Sequence, residues 1–142
     1  MKRVSIVALS IVLFATIYSW FSYVPNSQRA SNVYYFGFLE TFLFVIIYVG
    51  PIYFLVGLPL SIFLDKSIGK SNRKSKWANY FVGLGLYSLV GILVGIISFY
   101  IIGHNIYQME VISYAIYGFT ASNIYFHLAL LTSKVNKKQI LQ

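Results

Sequence analysis

Long apolar runs separated by short polar segments dominate the chain. Four such runs lie at about residues 4–24, 35–64, 80–103 and 111–132. Each reaches the roughly 20 residues that a helix needs to cross a hydrocarbon layer about 30 Å thick. Polar and apolar residues do not alternate with the period of two that a transmembrane strand would require. The pattern predicts an all-α polytopic membrane protein, a single domain formed by a bundle of four transmembrane helices.

The second run is longer than one crossing requires. A straight helix over residues 35–64 would be about 45 Å long, while two crossings of half that length would each be too short. Pro51 removes the hydrogen bond to the Ile47 carbonyl, and Gly50 loosens the same turn. We expect one helix that is tilted, kinked or partly interfacial. Gly50 and Pro51 are either a hinge or an ordinary feature of a membrane helix.

The first run begins with Lys2 and Arg3, as the start of a signal peptide would. A cleavage site needs small residues shortly before the cut, but Trp20, Phe21 and Tyr23 occupy that zone. We therefore predict that the first run is an uncleaved anchoring helix.

The composition excludes an ordinary soluble domain, because 58% of the residues are hydrophobic and only 10% are charged. The chain has 11 Lys and Arg against 3 Asp and Glu, for a net charge of +8. Such an excess can indicate nucleic-acid binding in a soluble protein, but its distribution here favours another explanation. Abundant lysine, isoleucine, tyrosine and asparagine also hint at a bacterial source with an AT-rich genome.

The basic residues are sorted to one side of the predicted membrane. Arg29 is the one basic residue in the segment after the first run, and residues 104–110 contain none. All the others lie at the N-terminus, in the segment 65–79 or in the tail: Lys2, Arg3, Lys66, Lys70, Arg73, Lys74, Lys76, Lys134, Lys137 and Lys138. The positive-inside rule places both termini and the 65–79 loop in the cytoplasm. We expect a multi-pass protein of the plasma membrane.

The basic 65–79 loop has two interpretations. It is a topology signal that attracts anionic lipid headgroups, at about 1 kcal/mol for each basic residue, or it docks an acidic partner. Small polar residues alternate with the charges, and no apolar helical face is visible, so we expect solvated chain that contacts membrane lipids through Lys66, Lys70, Arg73, Lys74 and Lys76. Nucleic acid is not an expected partner.

A stripe of small residues follows one face of the third run. It consists of Ser88, Gly91, Gly95 and Ser98, at spacings of three and four. Small residues let helices in lipid approach closely, so that van der Waals contacts hold them together. The stripe packs either against another helix of the same chain or against a second copy or another membrane protein.

Glu40 lies about five residues inside the second run. A carboxylate within the membrane costs about 2.5–3.5 kcal/mol at the centre, and such groups are candidates for handling protons or cations. The alternative is an interfacial glutamate that reaches the lipid headgroups or pairs with Arg29 or His104, which are both predicted on the same outer side.

The fourth run contains a polar stripe formed by Thr120, Asn123 and His127, which Ser113 and Tyr117 continue on the neighbouring register. Its groups can hydrogen-bond across helices and hold a bundle together. Alternatively, they form a polar path in which the histidine titrates near neutral pH. Glu40 and His127 are too far apart to bond directly, so a relay between them needs water or a tyrosine such as Tyr48 or Tyr53.

Enzyme chemistry finds no support in the sequence. There is no cysteine, no phosphate-binding glycine loop and no HExxH or GxSxG motif, and the histidines and carboxylates are too few and too scattered for a metal site. We expect no cofactor. Two functions remain: a non-enzymatic scaffold, accessory or membrane-stress protein that acts through helix contacts, or a small transporter or flippase subunit that uses Glu40 and the polar stripe.

Overall fold

The computed structural model describes residues 2–70, 76–102 and 108–139. Within these ranges the fold contains helices and no strand, which confirms the all-α prediction. The helices are α1 (Lys2–Ser22), α2 (Phe38–Ile52), α3 (Leu58–Lys70), α4 (Lys76–Ile102) and α5 (Gln108–Gln139). A 3₁₀ turn occupies Asn26–Gln28, and a π-helical turn over Tyr53–Gly57 joins α2 to α3.

Three helical segments of the described chain are long and apolar enough to cross a membrane: Arg3–Ser22, Phe38–Ile68 and Trp77–Ile101. They confirm the prediction of a membrane protein in this general form. Helix α5 is not among them. Its sequence is long enough, but the polar residues between Ser113 and His127 interrupt its apolar character.

The second apolar run forms one continuous helical path with an irregular centre. Helix α2 passes through Pro51, and the helical repeat then widens, with the Leu58 N–H donating to the carbonyl of Tyr53, five residues earlier. Such π-turns absorb an extra residue within a helix. The 31-residue stretch from Phe38 to Ile68 exceeds one membrane thickness, as expected.

The boundaries of the basic loop differ from the prediction. Residues from Asp65 to Lys70 continue helix α3, and α4 already begins at Lys76. The expectation of solvated chain over 65–79 was therefore wrong for both ends of that segment. The reason is that α3 extends past the apolar run, and Asp65 is held there by partners on α1 and α4. Arg73 and Lys74 lie outside the described residues.

Helix α1 belongs to the core of the fold. Its buried residues recur at intervals of three and four, which is the spacing of one helical face: Val7, Ser10, Ile11, Phe14, Ala15 and Ser19. This face packs against α2 and α5. Leu9, Val12 and Leu13 on the other side are exposed, as suits contact with lipid.

Helices α4 and α5 form the closest helix pair. The buried positions of α4 recur at every fourth residue: Gly83, Tyr87, Gly91, Gly95 and Phe99. A Cβ atom at Gly91 would overlap the Gly118 carbonyl oxygen and the Ser122 hydroxyl, and one at Gly95 would overlap the Tyr114 carbonyl oxygen. The two backbones therefore touch, and only glycine fits these positions.

Candidate functional site

A cavity of about 880 Å³ lies between the α2–α3 path and the α4–α5 pair. It is open rather than enclosed, and its walls are mainly apolar. Among the described helices, α1 packs on α2 and α5, α3 packs on α4, and α4 packs on α5, but α2 and α4 are not a packed pair. The cavity occupies the space that their separation leaves. Its volume falls in the range of about 300–1,000 Å³ that is typical of small-molecule sites.

One face of α5 forms a long wall of the cavity. The lining residues of α5 recur at intervals of three and four: Glu110, Ser113, Tyr114, Tyr117, Gly118, Ala121, Ser122 and Tyr125. From Glu110 to Tyr125 this wall is about 22 Å long at 1.5 Å per residue. The cavity therefore extends across much of the depth of the bundle.

The π-turn contributes to the opposite wall. Tyr53 and Gly57, both within this turn, line the cavity together with Phe44 and Tyr48 of α2. The Tyr53 hydroxyl donates a hydrogen bond of 2.7 Å to the Ala121 carbonyl oxygen on α5. This bond links the irregular part of the second run directly to the α5 wall.

The end of the cavity that is lined by Ser61, Tyr87 and Tyr125 is called the inner end. Its hydroxyl groups are hydrogen-bonded. The Tyr125 hydroxyl donates to Ser61 Oγ over 3.0 Å, and Ser61 Oγ donates to the Leu58 carbonyl oxygen over 2.7 Å. The Tyr87 hydroxyl donates to Asp65 Oδ1 over 2.9 Å. Because these groups already have partners, the inner end of the cavity presents apolar ring surfaces to an occupant.

An ion pair extends this network to the N-terminal helix. Arg3 Nη2 lies 3.1 Å from Asp65 Oδ2, and both side chains are partly exposed, at 45% and 41%. Asp65 therefore connects α1, α3 and α4. From the sequence, Asp65 was placed in the basic loop and was given no role. Nothing in the local pattern shows that the start of α1 lies next to the end of α3.

The other end of the cavity carries a carboxylate and a group of aromatic rings. Glu110 is exposed at this rim, one helical turn before Tyr114. The Tyr18 and Tyr117 rings meet edge to face with centroids 5.0 Å apart, and the Tyr114 and Tyr117 centroids are 6.1 Å apart. Glu110 was not singled out from the sequence. It lies four residues before Tyr114 and seven before Tyr117, and this spacing places all three residues on one helical face.

Glu40 does not reach the cavity. It is exposed in the first turn of α2, where Oε2 accepts a hydrogen bond from the Gly37 N–H over 2.8 Å. The Tyr34 hydroxyl donates to its two carboxylate oxygens over 3.1 and 3.2 Å, and this hydrogen bond raises the pKa of Tyr34. A glutamate at the third position of a helix commonly caps the helix in this way.

Arg29, one of the alternative partners considered for Glu40, does not pair with it in the fold. Arg29 instead donates to the Val24 carbonyl oxygen over 3.0 Å, and its guanidinium lies 5.9 Å from the ring centroids of Tyr23 and Tyr35. The segment between the helices brings these aromatic faces to Arg29, while the start of α2 supplies closer donors to Glu40. The other predicted partner, His104, lies outside the described residues.

Asn123 and His127 of the polar stripe on α5 contact α4, whereas Ser113 and Tyr117, on the neighbouring register, line the cavity. Asn123 Nδ2 donates to Ser88 Oγ over 3.1 Å. His127 Nδ1 lies 2.8 Å from the Asn123 carbonyl oxygen, and Nε2 lies 3.2 Å from the Tyr80 hydroxyl. Because a carbonyl only accepts, Nδ1 carries the proton, and Tyr80 donates to Nε2 when the ring is neutral. Thr120 donates to its own helix, to the Ile116 carbonyl oxygen.

The small-residue stripe is divided between the helix contact and the cavity. Gly91 and Gly95 lie against α5, and Ser88 bonds to Asn123. Ser98 lines the cavity, and so do Gly91 and Gly95. The candidate hinge residue Pro51 lies within the last turn of α2, just before the π-turn.

In the described ranges, no group of three or more histidine, aspartate or glutamate side chains could hold a metal ion. No protein-family model, no curated protein and no solved structure matches the chain significantly. The geometry of the cavity is therefore the main indication of what the protein does.

Proposed function

We propose that this is a non-enzymatic, four-span protein of the plasma membrane that binds an apolar, lipid-sized molecule within the bilayer. The observation that carries the proposal is the open cavity of about 880 Å³ with mainly apolar walls. Two of its walls belong to helices that are apolar enough to cross a membrane. An apolar molecule dissolved in the bilayer can enter such a cavity without first passing through water.

In this proposal α5 is the fourth crossing, with both termini and the basic segment between α3 and α4 in the cytoplasm. The Arg3–Asp65 ion pair supports this topology, because the ion pair joins the start of α1 to the end of α3. The polar groups of α5 are compatible with a crossing because Asn123 and His127 are hydrogen-bonded to α4. Lys66 and its basic neighbours would then contact anionic headgroups.

Cysteine labelling tests this topology, since the chain contains no native cysteine. We expect a membrane-impermeant maleimide to label Ser27→Cys on intact cells and to label Ser67→Cys only after the cells are opened. Both positions are exposed in the fold. The reverse pattern would contradict the proposed orientation, and labelling of both on intact cells would contradict a single crossing between the two positions.

Photolabelling tests the binding function. A neutral alkane that carries a diazirine is added to the protein in lipid nanodiscs, and the adducts are mapped by mass spectrometry. We expect saturable labelling on the cavity wall around Tyr117, against labelling that rises linearly with probe on the lipid-facing surface. Linear labelling at both places would overturn the proposal.

A pair of neighbouring substitutions controls this experiment. Val94 lines the cavity, whereas Leu93 is exposed on the lipid-facing side of the same helix. Val94→Trp should fill the cavity and abolish the saturable labelling. Leu93→Trp adds the same indole on the other side and should leave the labelling unchanged.

A carrier role is the second candidate, because the π-turn that lines the cavity is an irregular, adjustable part of the second run. Flux of a bound probe across proteoliposomes would distinguish it from simple binding. A scaffold role through Ser88, Gly91 and Gly95 is less well supported, because these residues already face α5.

A further inference from the structure

We infer that the cavity is a site for a lipophilic cation, whose charge lies beside Glu110 and whose apolar body extends toward Ser61 and Tyr87. This inference rests on the proposed binding function and adds the chemical class of the ligand. It follows from the distribution of charge, aromatic rings and satisfied hydroxyl groups along the cavity.

The carboxylates of the chain are used differently. The sequence contains three of them. Glu40 caps α2 and Asp65 holds Arg3 and Tyr87. Glu110 makes no hydrogen bond or ion pair with another described residue, and it lines the cavity. A negative charge that has no paired cation among the described residues, at the mouth of an apolar cavity, attracts cations and disfavours anions.

The rings near Glu110 add a second attraction for a cation. Tyr114 and Tyr117 follow Glu110 on the same face of α5, and Tyr18 packs edge to face on Tyr117. The faces of such rings attract ammonium groups electrostatically, and several rings together are the usual way of binding quaternary ammonium ligands. A carboxylate and aromatic rings on the same wall of the cavity therefore favour an organic cation over a strongly hydrated metal ion.

The inner end of the cavity favours an apolar body. The hydroxyl groups of Tyr53, Tyr87 and Tyr125 are all engaged, with Ala121, Asp65 and Ser61 respectively. A polar group placed here would find few free partners and would lose its hydration. The ligand that fits is amphiphilic, with a cationic head at the rim and a hydrocarbon portion inside.

A matched pair of amphiphiles tests the inference. Dodecyltrimethylammonium and dodecanol share one alkyl chain and differ in the head, and each competes with the diazirine alkane for the saturable labelling in nanodiscs. We expect half-maximal competition by the ammonium compound at a concentration about tenfold lower, the ratio that a difference of about 1.4 kcal/mol gives. Equal competition by the two compounds would overturn the inference.

Two carboxylate variants identify the source of the selectivity. Glu110→Gln should bring the ammonium compound to the level of the alcohol and leave competition by the alcohol unchanged. Glu40→Gln removes a charge outside the cavity and should preserve the tenfold preference. Tyr114→Leu removes a ring near Glu110 and should reduce the preference with the carboxylate in place.

The outcomes separate this inference from the function on which it rests. Saturable labelling with no preference for the cation contradicts the ligand class and leaves the binding function standing. Absence of saturable labelling contradicts the binding function itself. A loss of thermal stability in Glu110→Gln without a change in preference would mean that Glu110 only stabilises the N-terminus of α5, and the inference would fall.

Discussion

The α4–α5 contact and the gap between α2 and α4 differ in how closely the two helices of each pair approach each other. Along α4 and α5, glycines bring one backbone against the other, at Gly91, Gly95 and Gly118. Across the gap, α2 presents large rings such as Phe44 and Tyr48, and a π-turn interrupts the helix. Helices in lipid gain little from hydrophobic burial on association. Glycines on both facing helices therefore let this bundle close at the α4–α5 contact, whereas the α2 side of the cavity presents large rings.

The largest expected effect comes from breaking the closed region. Gly91→Leu places a side chain where the Gly118 carbonyl and the Ser122 hydroxyl already lie, and backbone atoms cannot move aside as a flexible side chain can. We expect a loss of about 3 kcal/mol or more, at or above the upper range for overpacking. Thermal unfolding in detergent, followed by circular dichroism, measures it.

Gly85 provides the matched control for this experiment. It lies on the same helix, and nothing lies within 4 Å of a Cβ atom built there. Gly85→Leu should unfold close to the wild-type temperature. Equal destabilisation by the two substitutions would mean that the α4–α5 contact does not depend on glycine.

A smaller effect is expected at the inner end of the cavity. Asp65→Ala removes the ion pair with Arg3 and leaves the buried Tyr87 hydroxyl with only the Ser61 carbonyl oxygen, 3.3 Å away. We expect a loss of roughly 1–3 kcal/mol, mainly from the unsatisfied hydroxyl, because the partly exposed ion pair contributes little.

The double variant Asp65→Ala/Tyr87→Phe separates the two contributions. Removing the stranded hydroxyl should recover part of the lost stability, measured by the same unfolding experiment. If the double variant is less stable than Asp65→Ala alone, the hydroxyl is not the main cost.

The smallest effect is expected at the bond that spans the two regions. Tyr53→Phe removes the hydrogen bond to the Ala121 carbonyl oxygen, at a cost of about 1 kcal/mol. Spin labels on single cysteines in α2 and α5 should then report a broader distribution of distances across the cavity. An unchanged distribution would show that the bond does not hold the π-turn near α5.

Sequence patterns predicted the helices better than the site. Hydrophobic run length identified the helical segments, and the small-residue spacing identified Gly91 and Gly95, because both depend on residues close in the chain. The same reasoning missed Asp65 and Glu110, whose importance depends on distant partners. It also gave Glu40 more weight than the fold does, since local donors at Gly37 and Tyr34 engage its carboxylate.

The contact of α1 with α5 has a consequence for biogenesis. Chains are synthesised from the N-terminus, so α1 is made before α5, which is one of its packing partners. Until α5 arrives, the Ser10 and Ser19 face of α1 lacks part of its final covering. The α4–α5 hairpin, by contrast, joins neighbours in sequence and can assemble as soon as it is inserted. Packing of α1 thus waits for the synthesis of α5, and a nascent chain that stalls before α5 would leave α1 only partly covered in the bilayer.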